Sequence, residues 1–194
     1  MAQFSTTQFP QTAVAYKGNV SINGYPAGPK DSYMTIGGVY DSGDAYNTVS
    51  TIPFGTVASA KPSTPDLFVI GLPTGAYILR GVAIFDQSIS YNESFKPDSY
   101  ALGLSATVMV RGLFRLSSWG TTGASTVQPY PGCVPQYSLT TGAIEFLASG
   151  TTTASNGFRL FVGPMGNQCL NVVDVDPLLG STTNGGALLY LSIY

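Results

Sequence analysis

Few residue types in this chain are equipped for covalent chemistry, and their spacing narrows the field further. Two aspartates, Asp174 and Asp176, fall on one face of a strand in "DVD", and Glu145 lies in an apolar run. Paired carboxylates are the machinery of glycoside hydrolysis, so Asp174 or Glu145 would serve a hydrolase; the competing reading is a solvated turn beside "PLLG". Asp41 and Asp44 in "YDSGD" offer oxygen ligands but lack the regular spacing of a calcium loop, and the segment reads as a turn. The chain holds no histidine, which removes the commonest general base, the triads built on it and most zinc sites. The expectation is a non-enzyme with no catalytic residue, no metal and no cofactor.

Three arginines are candidates for binding instead. Arg80, Arg111 and Arg115 converge if their strands pair; otherwise their stems lie along apolar surface while the heads meet Asp86 or Glu93. Aromatic residues run through the whole chain, with Tyr190 and Tyr194 on one face of the last strand. Rings beside Thr and Asn suit sugar-binding surfaces and protein interfaces alike.

Those residues must be positioned by strands. The clearest alternation is "SATVMVRGLFRL": Ala106, Val108, Val110, Gly112, Phe114 and Leu116 fall on one face, and Thr107, Met109, Arg111, Leu113 and Arg115 on the other. This is the pattern of a half-buried strand, and "YILRGVAIFD" is its expected neighbour. "MTIGGVY", "VSTIPFGTVAS", "DLFVIGL", "FRLFVG", "CLNVVDV" and "ALLYLSIY" also read as strands between Gly, Pro, Asp, Asn and Ser. No helix longer than a turn or two is expected. Within "IPFGTVAS", Pro53 and Gly55 belong at a strand start or bend, since Pro donates nothing to a ladder and Gly weakens a strand interior.

Residues 1–35 hold no helical period, and "NGYPAGPKDS" gathers turn formers, so this segment reads as an extended arm and a loop ahead of one β domain over 36–194. With only Phe4, Phe9 and Tyr16 as isolated rings, the arm has too little apolar surface for a core and is expected to dock on a neighbour. Residues 117–142 carry no charge but several rings, unlike a disordered linker, and read as an ordered loop with a short strand at "PQYSL".

Charged residues make up 9% of the chain, against about 25% in an average soluble protein. Eight dispersed Lys and Arg at a net charge of -2 leave no basic stripe, so nucleic acid is not an expected partner. No run approaches the length of a membrane helix, and "MAQFSTTQFPQT" lacks the regions of an export signal; no membrane association is expected. Cys133 and Cys169, in no metal-type spacing, are expected as buried thiols rather than a disulfide.

The middle of the chain resembles the structural cement proteins that decorate tailed-bacteriophage heads. Ile52, Pro53, Phe54, Gly55 and Val57 match the family's apolar-Pro-Phe-Gly-x-x-Val opening, with Val57 one residue early. Gly81, Val82, Ala83 and Ile84 match a "GVAV"-like strand, and Tyr100, Gly103, Val108, Val110, Gly112 and Phe114 match a Tyr-x-x-Gly segment leading into a strand. The similarity spans residues 35–116 and, more loosely, the last strand. Two features depart from it: no acidic residue follows Gly103, and the connection from Trp119 to Gly157 is longer.

The resemblance implies an all-β fold with a small β-barrel or β-sandwich (β-tulip-like) core, an extended N-terminal arm and long uncharged loops. It also implies a capsid decoration protein, made in the bacterial cytoplasm and placed on the outer surface of the virion head. The expected partners are the major capsid protein and further copies of the chain, a trimer ahead of a dimer. Phe4, Phe9, Tyr16, Arg80, Arg111 and Arg115 are the expected interface residues. A carbohydrate- or receptor-binding β module of a phage fibre or tail is the alternative.

Overall fold

A computed structural model describes residues 24–27, 32–85, 99–163, 166–176 and 186–193. The protein is all-β, built around a small closed barrel. Of the strands that close the barrel, β2 (Met34–Tyr40), β4 (Val57–Lys61), β5 (Thr64–Ile70) and β6 (Ile78–Ala83) lie in the first half of the chain. The fifth is the 12-residue β8 (Ser105–Leu116). The order runs β8-β2-β5-β4-β6 and returns from β6 to β8, so the barrel leaves no edge between its first and last strands. The pairing of "YILRGVAIFD" with the long alternating strand is thereby borne out, Val82 facing Met109 and Ala83 facing Val108.

Five strands enclose little space, and the sequence supplies small side chains to match. Ala58, Ala60, Ala83 and Ala106 share the interior with Val108, Ile70, Phe68 and Tyr40. One end of this core is finished by Ile52, Phe54 and Tyr100 from a two-stranded pair, β3 (Thr51–Pro53) and β7 (Ser99–Ala101). Pro53 ends β3, Gly55 turns with φ 81°, and β4 begins at Val57. Both residues therefore sit at the bend, where a positive φ favours glycine. Tyr100 locks the corner through its hydroxyl, which donates to the Ile84 carbonyl and accepts from the Thr107 N–H.

β8 outlives the barrel. Its register with β2 jumps from Thr35↔Met109 to Met34↔Arg111, so Val110 is an inserted residue, a β-bulge. Beyond it β8 pairs with β1 (Tyr25–Pro26) on one side and with β13 (Gly186–Ser192) on the other, and β13 pairs with β12 (Leu170–Asp176). The bulge corrects the uniform alternation expected for this strand. Ala106 and Val108 face the barrel interior, whereas Phe114 and Leu116 join Met109 in a second core. An extra residue shifts the period of two by one, which no local pattern reveals.

That second core lies between barrel, extension and a three-stranded sheet of β10 (Ile144–Leu147), β9 (Val134–Ser138) and β11 (Phe158–Leu160). Val57, Val69 and Val82 meet Tyr137, Phe146, Phe161, Leu189 and Leu191 there. Residues 117–142 are ordered, and "PQYSL" lies in β9 and just past it. Cys133 and Cys169 are both free and buried in this core. Burial pushes the Cys169 thiol up to about 11 and raises Cys133 as well.

Candidate functional site: a sheet face and a loop hub

Beyond the bulge, β8 alternates buried Gly112, Phe114 and Leu116 with Arg111, Leu113 and Arg115. Cross-strand partners share a face, so the register assembles the opposite surface. Arg115 lies beside Leu188, and Leu188 beside Asp174; Leu113 lies beside Tyr190, and Tyr190 beside Asn171; Arg111 lies beside Ser192. The Arg111 Nε donates to the Tyr190 hydroxyl at 3.3 Å. A second bulge at Val173 leaves that residue 49% exposed next to the same face. Arginine and tyrosine with aliphatic neighbours on a charge-poor surface is the composition of a recognition patch.

Of the three expected arginines, two lie on one strand. Arg111 and Arg115 fall on this face, about four strand residues or ~13 Å apart along β8. Arg80 lies on β6, which pairs with β8 at Val82↔Met109; the register between β4 and β6 passes from Ala58↔Gly81 to Ser59↔Leu79, which makes Arg80 the inserted residue of a bulge on the barrel. Phe4, Phe9 and Tyr16 lie outside the described residues, as do Asp86 and Glu93. Tyr190 and Leu188 were legible as strand residues, but only the pairing of β13 with β8 gathers them beside the arginines.

Glu145, Asp41 and Asp44 are tied into the structure by hydrogen bonds. Glu145 on β10 is fully buried and accepts four hydrogen bonds. Oε1 accepts from the Thr122 N–H (2.8 Å) and hydroxyl (2.9 Å), and Oε2 from the Gly123 N–H (2.9 Å) and Gln136 Nε2 (3.3 Å). A Cβ at Gly120 or Gly123 would stand 2.5 Å from a Glu145 oxygen, so glycine is needed for this approach. Gln136 extends the network, its Nε2 donating to the Ser155 hydroxyl and its Oε1 accepting from the Ser155 N–H. The loop is pinned further where the Gly120 and Val127 N–H groups donate to the Ile144 and Phe146 carbonyls and Trp119 packs edge-on against Phe146. Glu145 is the hub that fixes the uncharged loop on its sheet.

Asp174 is exposed on β12, in a different sheet from Glu145, and among the described residues no three His, Cys, Asp or Glu cluster as metal ligands. Asp41 and Asp44 cap their own turn, accepting from the N–H groups of Gly43 and Tyr46. Asp44 also accepts from the Tyr77 hydroxyl at 2.6 Å and pairs with Lys61 at 3.4 Å. Burial opposes its ionisation, but the Tyr77, Tyr46 and Lys61 donors outweigh it and hold the carboxyl below the usual range.

No family model matches the chain, and no curated protein matches it. No helix among the described residues is long and apolar enough to cross a membrane.

Proposed function

We propose that the protein is a capsid cement protein, which binds the outer surface of a phage head where major capsid subunits meet and stabilises the mature shell. The observation that carries this reading is the face of Arg111, Leu113, Arg115, Leu188 and Tyr190, an adhesive patch on a chain poor in charge and without histidine. The sequence resemblance over residues 35–116 points the same way. A head under pressure from packaged DNA must resist subunit separation, and a ligand that binds only the assembled lattice stabilises it by mass action. Copies arranged about a symmetry axis, three in our reading, add avidity through mutual contacts. Residues 1–35 would supply an arm reaching a neighbouring subunit.

Co-sedimentation with mature and immature heads lacking the protein, followed by heating of the loaded particles, tests this directly. Saturable binding to mature heads with a raised disruption temperature is expected. Heads that neither bind the protein nor gain heat resistance would refute it. A glycan-binding screen would then examine the fibre-module alternative, whose best support is Tyr46, 44% exposed and held edge-on by Tyr77.

A further inference from the structure

Open strand edges are templates for pairing, and proteins blunt the ones they do not use. Here the outer edge of β10 is covered by residues 120–127 through the Gly120 and Val127 bonds. β12 carries a bulge at Val173 and an exposed Asp174. The start of β5 carries Pro65 and Asp66. The start of β2 has none of these devices. β5 joins β2 only at Val39 and Tyr40, and the sequence "MTIGGVY" has no charge, proline or bulge of its own.

The alternation of main-chain groups fixes what this edge offers. The Tyr40 N–H bonds the Leu104 carbonyl just ahead of β8, and the Asp41 N–H bonds the Phe68 carbonyl on the β5 side. Odd-numbered residues of β2 therefore direct their N–H and C=O toward β5. For Thr35 and Gly37 no strand stands opposite among the described residues. Both are exposed, Met34 beside them is 58% exposed, and a Cβ on Gly37 would meet nothing within 4 Å. Among the described residues the edge is bare, and it is uncharged, with open space at Gly37 for an incoming chain.

We infer that the β2 edge at Met34–Gly37 is the acceptor for residues 1–23 of a second copy, which add to it as a strand. The inference rests on the arm reading above and names where that arm lands. The donor suits the acceptor: residues 1–23 contain a single charged side chain, Lys17, and the ring of Phe9 would meet the exposed Met34. Twenty-three extended residues reach up to roughly 75 Å, ample to cross to a neighbour. They join the fold at Gly24, whose N–H bonds the Arg115 carbonyl on the same side of β8 that pairs with β2. Each copy thus gives an arm and takes one, which is how head-to-tail rings close.

The test uses the full chain with a photo-crosslinking residue at Phe9, mixed from isotopically heavy and light preparations. Crosslinks from Phe9 to Met34–Val39 between heavy and light chains are expected. Gly37→Lys, which adds a charge to the edge in open space, and Thr35→Pro, which removes an edge N–H, are each expected to keep the native circular dichroism. Each is expected to weaken self-association in sedimentation velocity by at least about tenfold. Crosslinks only within one chain or to another surface, or unchanged self-association of Gly37→Lys, would overturn the inference. Head binding is scored separately. Heads that bind a protein without these crosslinks would refute the arm site alone, and crosslinked oligomers that ignore heads would refute the cement reading alone.

Discussion

Replacing Glu145 by glutamine changes one oxygen into an NH2 group and nothing in volume. The native carboxylate faces donors only: two N–H groups, one hydroxyl and one side-chain amide. With its oxygen toward Gly123 and Gln136, the new amide turns its NH2 on the Thr122 N–H; the Thr122 hydroxyl can rotate to accept, but the N–H cannot. The opposite orientation faces the Gly123 N–H instead, and flipping Gln136 to help would forfeit its bond from the Ser155 N–H. At least one main-chain donor is orphaned either way, at a cost of about 1–3 kcal/mol. The remaining bonds lose their charge assistance, by about 1 kcal/mol each, while the desolvation of a buried carboxylate is relieved by a similar amount. The net expectation is about 2 kcal/mol, which for a chain of this size lowers Tm by about 4–8 °C. Glu145→Ala removes every acceptor and leaves a hole, so it should cost about 3–5 kcal/mol. Thermal unfolding followed by circular dichroism gives both numbers, and hydrogen exchange should show protection lost first at Thr122 and Gly123. A Tm for Glu145→Gln within about 1 °C of the native protein would refute the hub, as would an alanine variant no worse than the glutamine one.

Other perturbations have equally definite outcomes. Among the described residues the buried Ser59 hydroxyl has no hydrogen-bond partner, so Ser59→Ala should leave stability unchanged or raise it by about 1 kcal/mol in denaturant melts; a loss above about 1 kcal/mol would show that the hydroxyl contributes. Because the Asp44 carboxyl is held below its unfolded value, its contribution is present above the unfolded pKa and is lost as pH falls through the folded one. Asp44→Asn should therefore melt below the native protein at neutral pH, with the two curves converging in acid, and a gap that widens in acid would contradict the assignment. Cys133 and Cys169, 2% exposed each and with thiols raised by burial, should resist a thiol reagent at pH 8 in the native protein and react on unfolding; rapid native labelling would place them elsewhere.

Most strands were legible because their signal is local. Alternation in "SATVMVRGLFRL" and "ALLYLSIY", bounded by Gly and Asn, needs only neighbouring residues to declare a half-buried strand. Pro53 and Gly55 likewise mark their bend through their own backbone limits. The candidate site was less legible. Arg111 and Arg115 could be placed on one face from spacing alone, but Tyr190 is 79 residues from Arg111 and arrives only through sheet pairing. Glu145 gave no signal of its role, since the donors that surround it come from a loop 22 to 23 residues earlier and from the preceding strand.

By itself, then, the sequence determined the all-β class, the place of most strands along the chain, the ordered uncharged loop and a chain without histidine or a basic stripe. The tertiary structure alone decided that β6 closes a barrel against β8, that Val110 bulges and sends Phe114 and Leu116 into a second core, and that Arg80 is the inserted residue of a bulge on β6. The division has a physical cause. Strand formation is read from the period of side chains along one segment, whereas register, bulges and closure depend on the free energy of pairing segments far apart in the chain, which no single segment encodes.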